Sequence, residues 1–270
     1  MSGRIGQLDS DHPSDALKVQ TILATKPGWV GSLVYPSALL LMAILAAMIW
    51  ATARQPVKFV DFTVNSKNGT RTRAVAVVPK RLKPLPVVVY LHGSGDSLQR
   101  STGTLRQFAE LGLAAVCMDY TQTNAASFPA QFEALLSWVA AQAWADTNRV
   151  AWVGFSLGAQ RMLSYACAHP EAAPPFLVRL AGGRVQELEA EPRRLHGKAW
   201  IVHGEKDDVF RVGDAEEVAR KLTGAGMSVE MTVLPGQSHA FGENRQLVFR
   251  LLAERCAEEF KATRKGAAGS

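Results

Sequence analysis

Ser156, Asp207 and His239 lie far apart in the chain, yet they have the types and the order needed to turn a hydroxyl into a nucleophile. A serine hydroxyl attacks poorly at neutral pH. It needs an imidazole to take its proton and a carboxylate to hold that imidazole in the correct tautomer. Ser156 is centred in Gly154-Phe-Ser-Leu-Gly158, after the apolar run Val150-Ala-Trp-Val153 and before helix-like sequence. This is the nucleophile-elbow pattern, a strand-to-helix turn too tight for side chains at the two glycines and strained at the serine, whose hydroxyl is pushed outward. Downstream, Ala199-Trp-Ile-Val-His-Gly-Glu-Lys-Asp207 reads as a buried strand, a glycine turn and an acid. Val229-Glu-Met-Thr-Val-Leu-Pro-Gly-Gln-Ser-His239 reads as a second strand whose loop presents a histidine. Asp208 competes with Asp207 for the acid's role, and His203 precedes the acid at a strand end, where a packing or loop-bracing part suits it better than that of base.

Positioning these groups requires a frame of strands. Residues 57–64 and 73–78 read as two strands joined by Asn65-Ser-Lys-Asn-Gly69, whose Asn-Gly pair is a hairpin signal. Runs at 87–91, 113–118, 150–154, 176–180, 199–202 and 229–234 are short and mostly apolar, as strands buried on both faces must be. Between and after them, 104–111, 128–144, 159–168, 214–223 and 245–260 carry apolar residues at helical spacing. Strand and helix alternate, which predicts an α/β fold with a mostly parallel central sheet, helices on both faces and an antiparallel edge. The chemical motifs all fall at carboxyl ends of strands, where open α/β sheets carry their sites.

With the upstream segment Val87-Val-Val-Tyr-Leu-His92-Gly-Ser-Gly-Asp96, these motifs resemble the α/β-hydrolase superfamily, in its branch of dienelactone hydrolases and prolyl-oligopeptidase-like catalytic domains. The resemblance covers residues 57 to 260. It implies an α/β-hydrolase fold, a Ser156–His239–Asp207 triad with the acid three residues after Gly204, and an oxyanion hole from the backbone N–H groups of Ser94 and Leu157. His92 is then a brace for its loop. Dienelactone hydrolases proper use cysteine where this chain has Ser156, and no propeller domain of the peptidase branch is present in the 270 residues. The segment 181–198 is too short to form a helical cap, which predicts an open site. Tyr120 and Phe155 are candidates for its lining, with plain core as the alternative.

Composition narrows the rest. A net charge of +6 is spread along the chain with no arginine stripe interleaved with aromatics, which argues against nucleic acid as a partner. The basic cluster Arg71, Arg73, Lys80, Arg81 and Lys83 reads as a solvated sheet edge, with anionic lipid headgroups as the second reading. Cys117, Cys167 and Cys256 are odd in number and fall in internal strands or helices, so a disulfide framework is not expected. No Cys/His spacing suits zinc, and neither a metal nor a cofactor is expected.

Residues 27–53 contain no charged side chain before position 54, and Trp29 and Trp50 stand 21 residues apart. At about 1.5 Å per residue they are roughly 32 Å apart, close to the hydrocarbon thickness of a bilayer. The reading is a flexible tail at 1–26, one transmembrane anchor at 27–53, a catalytic domain at 54–262 and a C-terminal tail at 263–270. A cleaved signal peptide ending at Ala51-Thr-Ala53 is the rival, disfavoured by the long acidic stretch before the apolar core. Arg54, Lys58, Lys67, Arg71 and Arg73 outnumber Lys18 and Lys26, which favours a cytoplasmic domain, although an exported one stays nearly as well supported. The expected function is that of a single-pass, membrane-anchored serine hydrolase cleaving carboxylic esters through an acyl-enzyme, with a small-molecule acyl or ester substrate whose acyl part is small or extended. An acyltransferase or peptidase-like hydrolase would use the same triad, and a non-catalytic membrane scaffold would show an eroded one.

Overall fold

The apolar runs pair into one eight-stranded sheet in the computed structural model, which describes residues 42, 56–81, 83–120, 125–188 and 194–267. From residue 56 onward they belong to the compact unit Thr52–Ser270. Strands β1 (Val57–Asn65) and β2 (Arg71–Pro79) form the antiparallel hairpin, closed where the Gly69 N–H meets the Ser66 carbonyl at 2.9 Å. Then follow β3 (Leu85–Leu91), α1 (Leu98–Glu110), β4 (Ala114–Met118), α2 (Phe128–Ala140) and β5 (Ala145–Phe155). The chain continues through α3 (Leu157–Ala168), β6 (Phe176–Leu180), β7 (Lys198–Gly204), α4 (Val212–Gly224), β8 (Ser228–Leu234) and α5 (Arg245–Ala267). The strand order is β1-β2-β4-β3-β5-β6-β7-β8, and every pairing from β4 to β8 is parallel.

Period-two alternation divides the core into two layers. Val87, Val89 and Leu91 of β3 join the layer covered by α2, α3 and α4, while Val88 and Tyr90 join the layer covered by α1 and α5. Each fully buried large apolar side chain contributes about 1.5–3 kcal/mol, and the first layer adds edge-to-face contacts of Phe132 with Trp152 and Tyr165. This two-sided burial keeps the sheet rigid and its carboxyl ends fixed.

Several boundaries differ from the sequence expectation. Helix α1 starts at Leu98, six residues before the apolar periodicity begins, because Ser97 caps it by accepting the Arg100 N–H. Helix α2 stops at Ala140 and not at 144, since Ala145 and Asp146 already pair with Leu85 and Pro86 as the start of β5. Helix α5 runs to Ala267, into the stretch expected to be a tail from 263, where Arg264, Lys265 and Ala267 favour helix against the weaker formers Thr263 and Gly266. The expected anchor at 27–53 lies outside the described residues apart from Met42, and no helix among the described residues is long and apolar enough to cross a membrane. Between β6 and β7 the described residues hold only a short 3-10 turn, Gln186–Leu188.

Candidate active site

The elbow is built by exclusion. Strand β5 delivers Phe155, α3 begins at Leu157, and Ser156 between them has φ 52° and ψ −116°, a left-handed conformation that costs a non-glycine residue about 1–3 kcal/mol. A Cβ on Gly154 would stand 2.6 Å from the Ala159 backbone, and one on Gly158 would collide with the Leu91 carbonyl oxygen. The Ser156 N–H donates to the Leu180 carbonyl at 2.9 Å, which pins the turn to the neighbouring strand.

Acid and base reach the serine from the ends of β7 and β8. His239 Nε2 lies 2.9 Å from Ser156 Oγ, and its Nδ1 lies 2.9 Å and 3.1 Å from Asp207 Oδ2 and Oδ1. Both Asp207 acceptors are fully engaged: Oδ1 also takes the Val209 and Phe210 N–H groups at 2.9 and 2.8 Å, and the carboxylate is wholly buried. With the proton on Nδ1 facing the carboxylate, Nε2 is left as the acceptor of the serine proton. Asp208 is exposed and makes no hydrogen bond or ion pair among the described residues, so the turn presents Asp207 alone. Among the described residues no group of three or more His, Cys, Asp or Glu could hold a metal ion, and the three cysteines are buried free thiols.

Ser94 and Leu157 both border the cleft beside Ser156, and neither amide has an acceptor among the described residues. The Leu157 N–H is one of the donors that a helix start leaves over. His92 is buried beneath the loop with Nδ1 2.9 Å from the Gly93 carbonyl, the brace expected of it. Phe155 lines the cleft, which has a volume of about 670 Å³. Tyr120 does not: it is buried under the loop that follows β3, its hydroxyl donating to the His92 carbonyl and its ring edge-on to Phe128. The end of an inner strand such as β4 leads below that loop. Its neighbour Cys117 is pushed up to about 12 by burial and is a thiol at any physiological pH.

Two residues that sequence reasoning passed over shape this wall. Asp96 accepts the Ser97 N–H at 3.1 Å and meets the Arg245 guanidinium at 3.1 Å, and that guanidinium lies over the rings of Phe155 (4.7 Å) and Phe249 (5.0 Å). Helix α5 is thereby tied to the loop that follows β3. The only hint in sequence is that Arg245 follows the His239 loop at a helix start. Phe210, whose ring stands edge-on to His239 at 5.5 Å, was equally unmarked.

The family model of dienelactone hydrolases matches residues 117–264, more than half of the chain and including the elbow, the acid turn and the base loop. The chain belongs to the dienelactone hydrolase family. No curated protein matches the sequence. Among solved structures, the esterase of Pyrobaculum calidifontis is similar at 18% identity, over 83% of this chain and 93% of its own, with a TM-score of 0.65. A fungal esterase of Rhizomucor miehei is similar at 19% identity, over 82% of this chain and 90% of its own, with a TM-score of 0.63. The shared architecture is the α/β-hydrolase fold, and within this family the chain carries serine at the elbow.

Proposed function

We propose that this hydrolase cleaves carboxylic esters through a Ser156–His239–Asp207 triad. The observation that carries the reading is the unbroken run of contacts, 2.9 Å from serine to imidazole and 2.9 Å from imidazole to carboxylate, opening on a cleft. In this reading Ser156 Oγ attacks the ester carbonyl carbon while His239 Nε2 takes its proton. The carbonyl oxygen becomes an oxyanion held by the Ser94 and Leu157 amides, donors worth about 3 kcal/mol each to the transition state. The intermediate collapses, the C–O bond to the alcohol breaks, and His239 returns the proton to the leaving oxygen. Water then enters, gives its proton to His239 and attacks the acyl-enzyme. The second tetrahedral intermediate releases the acid and restores Ser156. The absence of a cap among the described residues supports water over a second alcohol as the acceptor of the acyl group. The cleft mixes polar walls, Asp96, Arg100 and Gln160, with Phe155, Val209 and Phe210, which suits short acyl chains better than long ones.

Residues 27–53 are proposed as a single-pass anchor for a catalytic domain at 54–262, on the strength of their length and lack of charge. Retention of the full chain in the pellet after carbonate extraction is the expected result, and recovery in the supernatant rejects the anchor. The ester reading is tested with p-nitrophenyl esters of increasing chain length on the full chain in detergent. Turnover should be highest for the shortest chains and absent in Ser156→Ala. Failure to turn over any of them would reject an esterase.

A further inference from the structure

We infer that His203 is a positioning residue for the Asp207–His239 couple, an inference that rests on the triad reading above. His203 is the penultimate residue of strand β7, and both its side chain and that of Asp207 are fully buried. Its Nε2 lies 2.9 Å from the Phe210 carbonyl and 3.3 Å from Asp207 Oδ2, the same oxygen that faces His239. Its Nδ1 has no partner among the described residues. Two acceptors therefore face Nε2 and none faces Nδ1, so the ring carries its single proton on Nε2. The opposite tautomer would set a lone pair against two oxygens and bury a donor with no acceptor.

The Nε2–H does two things at once. It donates to Phe210, closing the turn whose own N–H groups hold Asp207 Oδ1, and so joins the acid to the cleft wall. It also sets the positive end of an N–H dipole against Oδ2. That dipole spreads the carboxylate's charge and weakens its hold on the proton of His239. The other charged groups near the couple are Glu205, Lys206 and Asp208 on the same turn, Arg211 beyond it, and Asp96, Arg100 and Arg245 across the cleft, of which Asp96 and Arg245 neutralise each other. All of them stay constant when His203 alone is changed.

The test compares substitutions at His203 in the full chain, with Ser156→Ala and Asp207→Asn as controls for the triad itself. Glutamine places an N–H where Nε2 stood, whereas methionine fills the space without a donor. His203→Met should lower kcat by about ten- to hundredfold at unchanged KM, the loss expected when a group orienting a charge is removed. It should also move the acid limb of the pH–rate profile up by about half a unit or more, because the imidazolium is better stabilised without the dipole. His203→Gln should bring both values back towards the parent. If methionine unfolds the protein, asparagine makes the same comparison, since its amide reaches only the Nδ1 side. Equal losses in the glutamine and methionine (or asparagine) variants with an unmoved pH midpoint would reduce His203 to packing and overturn the inference, as would full activity in both. Active Ser156→Ala or Asp207→Asn controls would instead count against the triad.

Discussion

Around Ser156 the backbone has no room to be different on either side, whereas the side chains of Asp207 and His239 are placed mainly by hydrogen bonds. The elbow owes its shape to collisions that glycine avoids at 154 and 158 and to a left-handed serine enforced by the strand and helix on either side. Sterics enter the acid turn at one point, Gly204, where a Cβ would collide with the Gln237 carbonyl oxygen, and the two side chains owe the rest to bonds: two backbone donors on Asp207 Oδ1, His239 on Oδ2, and the His203–Phe210 closure behind them. Steric control fixes a position rigidly and admits almost no substitution. Hydrogen-bond control is tunable, and its failures should be graded.

The largest effect should come from the steric side. Gly158→Ala drives a Cβ into the Leu91 carbonyl, backbone that cannot swing away, and should cost about 4 kcal/mol or more with loss of soluble, active protein. A circular-dichroism melt and an activity assay on whatever protein is recovered check this. A folded, active alanine variant would mean that the elbow is looser than its geometry. On the hydrogen-bonded side, Asp207→Asn should keep the fold and lower kcat by about a thousandfold or more, because the amide favours the wrong imidazole tautomer. Asp208→Asn, on an exposed side chain without partners among the described residues, should change kcat less than about twofold. Steady-state kinetics on the two single variants decide between neighbours that sequence alone left competing.

That contrast explains what could be read from the chain beforehand. The elbow, the parallel sheet and the order of the three chemical groups were legible because glycine spacing and apolar runs are local consequences of steric rules. Tyr120 stayed open between cleft lining and core because its position at a strand end is local, while its descent beneath the His92 loop, which decides for core, depends on where that loop folds. Arg245 and Asp96 meet across 149 positions of chain, and no local pattern announces such a pair. The early start of α1 was missed for a different reason. Its cap, Ser97, precedes a turn with little apolar periodicity, so a hydrogen bond and not a hydrophobic face defines the boundary.

A separate effect is expected on stability at alkaline pH, away from the catalytic contacts. Burial raises Cys117 from an ordinary 9.0 to about 12, so the unfolded chain releases this proton first. The sign follows: the contribution is intact below about pH 9 and is lost as pH climbs towards 12, at about 1.4 kcal/mol per pH unit. Urea midpoints measured from pH 8 to 10.5 should fall above pH 9, and because burial raises Cys256 in the same way, Cys117→Ala should reduce the slope by about half and not abolish it. Since Cys117 is fully buried near the end of β4, an unchanged slope would show that this region opens to solvent more readily than its packing implies.

The central claim is that Ser156 is a nucleophile activated by His239, and the most direct measurement is fluorophosphonate modification of the intact protein with the adduct mapped by peptide mass spectrometry. The account predicts a single adduct on Ser156, none in Ser156→Ala, and labelling slowed by orders of magnitude in His239→Ala. An adduct on another residue, or labelling of Ser156→Ala at the parent rate, would contradict it.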